Sequence, residues 1–112
     1  MIIDSKNEAL LESCLSDADL AVNATPVGMK PDDPLAFPVH FLSQDTIVYD
    51  LVYNIPCTPL CKAAQEKGIR AFSGLSMLLY QGVAAFEIWT SEKAPVKIMH
   101  DQLREAVYGA LV

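Results

Sequence analysis

The feature that most constrains this chain is a strand–helix–strand pattern packed into residues 47–72. Residues 47–53 read IVYDLVY, β-branched and aromatic almost throughout, which suits a strand inside a sheet. Thr58 and Pro59 then supply an N-cap and a proline at the first helical position, and Gly68 is placed to end that helix. A short strand over 69–72 follows. Two strands joined in this way pair in parallel through a right-handed crossover.

The flanking segments extend the alternation. Ser5 and Glu8 have the spacing of a capping box, and Leu10, Leu11, Cys14 and Leu15 continue at helical spacing, which predicts a helix over about 6–16. Residues 20–24 (LAVNA) read as a short strand of the kind buried on both faces. Residues 25–46 carry Pro26, Pro31, Pro34 and Pro38 without periodicity, and so long a loop in a compact domain is usually functional. A long apolar helix is expected over 74–90. Pro95 opens a last helix with Val96, Met99, Leu103, Ala106, Val107 and Ala110 along one stripe. The order predicts an α/β fold: about three parallel strands flanked by helices, plus a C-terminal helix.

At 112 residues the chain is read as one domain, and its 52 % hydrophobic content is high for that length. It is therefore expected to bury surface against something beyond itself. A net charge of −6 with no Lys/Arg cluster argues against nucleic-acid binding. The 74–89 run contains Ser, Gln, Gly and Glu87 and falls short of the ~20 apolar residues that span a membrane. Charges interrupt the N-terminus before any signal-like apolar core. With an odd cysteine count (Cys14, Cys57, Cys61), this fits a reduced, cytoplasmic setting. Cys57 and Cys61 fall short of a closed four-ligand zinc site, and His40 and His100 sit in no ligand spacing, so no metal is expected.

In open α/β sheets, ligands collect beyond the carboxyl ends of the strands. Those ends carry Asn23-Ala24-Thr25, Tyr53-Asn54 and Ser73-Gly74. Each also has a plainer reading as turn chemistry. Gln81 sits in the middle of the apolar 74–89 run, and an amide buried there without partners costs on the order of 1–3 kcal/mol. At 100° per residue it shares a helix face with Gly74, Met77, Leu78, Ala85 and Ile88, which directs it towards whatever binds at the strand ends. Gly74 is read as letting a backbone carbonyl approach a flat ligand, and Met77 as a soft contact for a ring. An amide bonded to a neighbouring carbonyl is the competing reading.

Three segments in order, DLAVNATPVGM (19–29), YDLVYNIPCTPL (49–60) and SGLSMLLYQGVAAFEIWTSEKAP (73–95), resemble the C-terminal part of the shikimate dehydrogenases and the related quinate/shikimate enzymes. The likeness runs from about residue 15 to the end. It implies the C-terminal half of a Rossmann-type NADP-binding domain over 1–112. In that family, a hydride moves between NADP and 3-dehydroshikimate in aromatic amino-acid biosynthesis. Carried across, Asn23, Ala24 and Thr25 match the turn beside the cofactor's adenosine portion. Leu51, Gly74 and Met77 match positions at its nicotinamide end. Tyr53 and Gln81 match residues that bond shikimate hydroxyl or carboxylate groups.

The family's catalytic lysine and aspartate lie in an N-terminal domain that no part of this chain resembles. No G-x-G-x-x-G turn and no Asn-Arg-Thr segment for the 2′-phosphate occur either. The expectation is a C-terminal fragment, inactive alone, with an incomplete NADP site and no catalytic residues of its own. A non-catalytic binding or assembly module on the same scaffold is the alternative. Ser76, Ile55-Pro56 and Ser91 depart from the family pattern near Tyr53 and the nicotinamide end. A sheet cut between its halves leaves strand 20–24 as an open edge, so a homo-oligomer through that edge or the last helix is expected.

Overall fold

The computed structural model describes residues 1–109 and is α/β in the order expected. Helix α1 (Glu8–Ser16) leads to strand β1 (Leu20–Asn23), and a 3-10 turn (Val39–Phe41) precedes β2 (Ile47–Asp50). Helix α2 (Pro59–Glu66), β3 (Arg70–Ser73), α3 (Leu75–Thr90) and α4 (Val96–Tyr108) complete it. The three strands are parallel in the order β1-β2-β3, so β1 is an edge, as anticipated. Ala110 of the predicted last-helix stripe lies outside the described residues.

Two boundaries moved for local reasons. Asn7, not Ser5, caps α1: its Oδ1 accepts the Leu10 N–H at 3.2 Å. Strand β2 stops at Asp50 rather than Tyr53, because Asp50 Oδ1 accepts the Val52 N–H two residues on (3.1 Å) and curls the chain into an Asx turn. Thr58 caps α2 as predicted, its Oγ1 accepting from Cys61 N–H at 3.2 Å.

The register divides the sheet into two unlike faces. Ala21, Val48 and Ala71 align across the strands and pack with Leu60, Ala64, Val39 and Leu42 into the core beneath α2 and the 3-10 turn. On the other face Val22, Tyr49 and Phe72 align, as do Leu20, Ile47 and Arg70. There Leu20 is 57 %, Val22 45 % and Phe72 50 % exposed. Strand β1 is therefore buried on one face only, contrary to the expectation of burial on both. An apolar strand pattern reports what a face is suited to, not what covers it.

The long helix also differs from its expected burial. Only Leu75, Leu79 and Val83 of α3 are buried, while Met77, Tyr80, Ile88 and Trp89 are exposed. The radius of gyration is 16.3 Å, against about 13 Å for a compact domain of this length. Among the described residues, no helix is long and apolar enough to cross a membrane.

Candidate functional site

The carboxyl ends of the three strands finish level, with Asn23, Asp50 and Ser73 in one register row. Just beyond them Ala24, Thr25, Pro26, Met29, Leu51, Val52, Tyr53 and Asn54 line a mainly apolar cavity of about 200 Å³. Two short segments build it, and polar links hold both. Leu51 N–H donates to Asn23 O (3.0 Å), tying the end of β2 to the end of β1. Asn54 Nδ2 donates to Met29 O (2.8 Å), closing the far side. Asp33 Oδ2 accepts from the backbone N–H of Gly28 (2.9 Å) and Lys30 (3.2 Å), which fixes the 28–33 turn. Those two N–H groups hold the Asp33 carboxyl below its ordinary value.

The predicted residues separate into three groups. Ala24, Thr25, Leu51 and Tyr53 share the cavity, and Tyr53 is 41 % exposed there. Asn23 is buried, and its amide is fully used inside the protein. Gly74 is buried against the same wall: its N–H donates to Val52 O (3.1 Å), and a Cβ added to it would lie 2.2 Å from the Leu51 carbonyl oxygen. The backbone that glycine admits is thus Leu51 of this chain, where a ligand was expected.

Met77 is exposed on the first turns of α3 and does not line the cavity. Gln81 is exposed, not buried, and its Nε2 donates to Leu78 O of its own helix at 2.9 Å. The competing reading of an amide bonded to a neighbouring carbonyl holds here, because one α3 flank has no covering element among the described residues. Gln81 lines a separate groove between α3 and α4, with Leu78, Leu79, Gly82, Met99, Gln102 and Leu103.

Sequence reasoning placed Asn54 at a strand end but did not single out Met29 as a wall residue or Asp50 beneath it. The signal for Asp50 was present: a carboxylate inside an otherwise apolar strand needs partners. It is fully buried and bonds Asn23 and Val52. Cys57 is exposed and Cys61 buried, and burial pushes the Cys61 thiol upward. Among the described residues, no group of three His, Cys, Asp or Glu side chains is placed to hold a metal ion.

The family described as Shikimate 5'-dehydrogenase C-terminal domain matches residues 74–104. The shikimate dehydrogenase (NADP(+)) of Methanopyrus kandleri is 48 % identical over 97 residues, covering 85 % of this chain and 33 % of its own. The structure of shikimate 5-dehydrogenase from Listeria monocytogenes with shikimate and NAD superposes with a TM-score of 0.83 at 35 % identity, over 92 % of this chain and 36 % of that one. Quinate dehydrogenase from Corynebacterium glutamicum with NAD gives 0.77 at 35 % identity, over 88 % and 34 %. The chain spans about one third of the length of the curated relatives it matches.

Proposed function

We propose, from the premise that this chain is a relative of the shikimate dehydrogenases matched over about one third of their length, that it forms one wall of an NADP-dependent site for the 3-dehydroshikimate/shikimate pair. The observation that carries this is the level row of strand ends. It gathers Thr25, Leu51 and Tyr53 around one cavity, with Gly74 packed against its backbone. That placement is where open α/β sheets bind ligands.

The residues present fit one end of a dinucleotide. A cavity of about 200 Å³ is below the roughly 300–1,000 Å³ of a complete small-molecule site, and no glycine-rich cradle for a pyrophosphate is available. A nicotinamide cofactor supplies or accepts the hydride. The chain's own part is to bind and orient. Ala24, Thr25 and Leu51 flank a planar group in the cavity; Met77 lies outside it, exposed on the first turns of α3. The Tyr53 hydroxyl bonds a substrate hydroxyl or carboxylate. Gln81 lies in the separate groove between α3 and α4 and keeps one Nε2 hydrogen and its Oε1 free there. Proton transfer falls to groups outside this chain.

The uncovered face of Leu20, Val22 and Phe72 supports a partner, which is the polypeptide corresponding to the relatives' remaining two thirds. Without it, a second copy of this chain covers the face. The test is complementation. The chain alone, given shikimate and NADP, is expected to show no absorbance change at 340 nm above a blank, and to sediment as an oligomer at micromolar concentration. Mixed with the first two thirds of the Methanopyrus enzyme, it should restore turnover. A mixture that forms a complex yet stays inactive overturns the enzymatic reading and leaves the assembly-module alternative.

A further inference from the structure

The exposed side of α3 carries a pattern that neither the strand-end cavity nor the open sheet face uses. Leu75, Leu79 and Val83 bury one side of the helix. At 100° per residue, Met77, Gln81, Ala84 and Ile88 fall on the opposite side, and all four are exposed. They follow one another at intervals of four, three and four residues, the spacing of an a/d seam between two packed helices. Tyr80 and Ala85 flank this stripe. Met77 is 48 %, Tyr80 58 % and Ile88 77 % exposed, so the apolar part of the stripe is largely bare. No charge lies on it. Glu87 is the single charged residue of α3, and its carboxylate accepts the Ala94 N–H at 3.3 Å, off the stripe.

The stripe is its own complement when two copies run antiparallel. A two-fold axis level with the Gly82–Val83 peptide sets Met77 against Ile88 of the second copy, Tyr80 against Ala85 and Gln81 against Ala84. Each alanine then faces a larger side chain, and the two surfaces interlock. A parallel pair in register sets alanine against alanine and bulk against bulk, which leaves voids. The antiparallel register also brings Glu87 opposite Leu78, so no like charges meet although each chain carries −6. Near the axis the two Gln81 residues are offset by about 4.5 Å along the helices. Each amide keeps one Nε2 hydrogen and its Oε1 beyond its bond to Leu78 O, so the two can bond each other. One polar pair in an apolar seam fixes register.

We propose that α3 is a self-association surface, on which a second copy of this chain packs antiparallel through Met77, Tyr80, Gln81, Ala84, Ala85 and Ile88. At these exposures the stripe leaves roughly 500 Å² bare on one copy, so a pair buries about 1,000 Å², the size a specific interface must reach. An interface at that threshold makes a weak, reversible dimer. The pairing covers Met77 and Gln81, so a ligand or partner chain that needs them must displace the second copy. The surface is separate from the β1 edge and from the face of Leu20, Val22 and Phe72.

The experiment is site-specific cross-linking of the chain alone, in a background carrying Cys14→Ser and Cys57→Ser, with a short bismaleimide. Protein at about 100 μM suits an interface of this size. A mixture of Met77→Cys and Ile88→Cys chains should cross-link at least about tenfold faster than either variant alone, because 77 meets 88 across the axis while like positions lie about 16 Å apart. Ala84→Glu sets two carboxylates beside the axis and should slow the mixed cross-link at least about tenfold. Phe72→Lys, on the open sheet face, should leave it unchanged. Residues 72, 77, 84 and 88 are exposed, and circular dichroism checks that each variant keeps its helices. Equal rates for the mixture and the single variants overturn the antiparallel pairing. A mixed cross-link that survives Ala84→Glu overturns the surface, and so does one lost in Phe72→Lys alone. No substrate, cofactor or other chain enters this measurement, so its failure and a failure of complementation are separate results.

Discussion

Replacing Gly74 by alanine tests whether this glycine serves the protein's own backbone. Its φ of −74° is ordinary, so the constraint is space, not conformation. The added Cβ would meet Leu51 O at 2.2 Å and the Leu51 carbonyl carbon at 2.7 Å. Carbon and carbonyl oxygen approach no closer than about 3.3 Å, so the start of α3 must retreat by roughly 1 Å. That retreat strains the 3.1 Å bond from Gly74 N–H to Val52 O. Overpacking costs about 1–3 kcal/mol and a lost bond about 1 kcal/mol. The alanine's lower unfolded-state entropy returns about 0.4–1 kcal/mol. The net is a destabilisation of about 1–3.5 kcal/mol, which for a chain of this size lowers Tm by roughly 4–15 °C. Gly82→Ala is the internal control. It lies inside α3, where an added Cβ meets only Met99 Cε at 3.7 Å, an ordinary contact. There the helix gains about 0.5–1 kcal/mol. Thermal unfolding followed by circular dichroism should therefore move in opposite directions for one and the same substitution. A Gly74→Ala protein as stable as Gly82→Ala would refute the close approach of β2's end to α3.

Two further substitutions probe the supports of the cavity and core. Lys67 Nζ donates to the carbonyls of Val39 (3.2 Å), His40 (2.9 Å) and Leu42 (2.7 Å), pinning the 3-10 turn whose Val39 and Leu42 enter the core. Lys67→Met should cost about 1.5–3 kcal/mol in urea unfolding, and a change below about 0.5 kcal/mol would count against the clamp. The depressed Asp33 carboxyl makes the 28–33 turn acid-sensitive. The folded value lies below the ordinary 3.8, so the stabilisation is whole above that pH and is lost as pH falls through the folded value. Protection of the Gly28 and Lys30 amides should fall as the pH drops below 3.8 through the folded value in wild type, and Asp33→Ala should leave both amides with little protection at any pH.

What the sequence revealed, and what it hid, divides along the range of the physics. The strands, the Thr58 cap and the helix stop near Gly68 are written in local chemistry, and each appears within a residue or two of its expected place except the end of β2, which falls three residues short at Asp50. Asn7 displaced Ser5 because two adjacent segments offered caps and a single hydrogen bond chose between them. Burial is different, because it depends on what lies opposite. The nearly all-apolar β1 and the apolar run of α3 announce faces that want cover, yet Val22, Phe72 and Ile88 stand in solvent among the described residues. The same gap misdirected the reading of Gln81. Its apolar neighbours implied burial, but burial there requires a surface facing α3, and among the described residues the amide folds back on Leu78 O instead. Asp50 shows the converse. The strand pattern ran through this lone carboxylate to Tyr53, yet the carboxylate ends β2. Its reach across to Asn23 became visible only with the parallel register, a long-range fact that no single segment encodes. Gln81, Met77 and the open sheet face have this in common: the apolar surroundings read from the sequence go uncovered among the described residues.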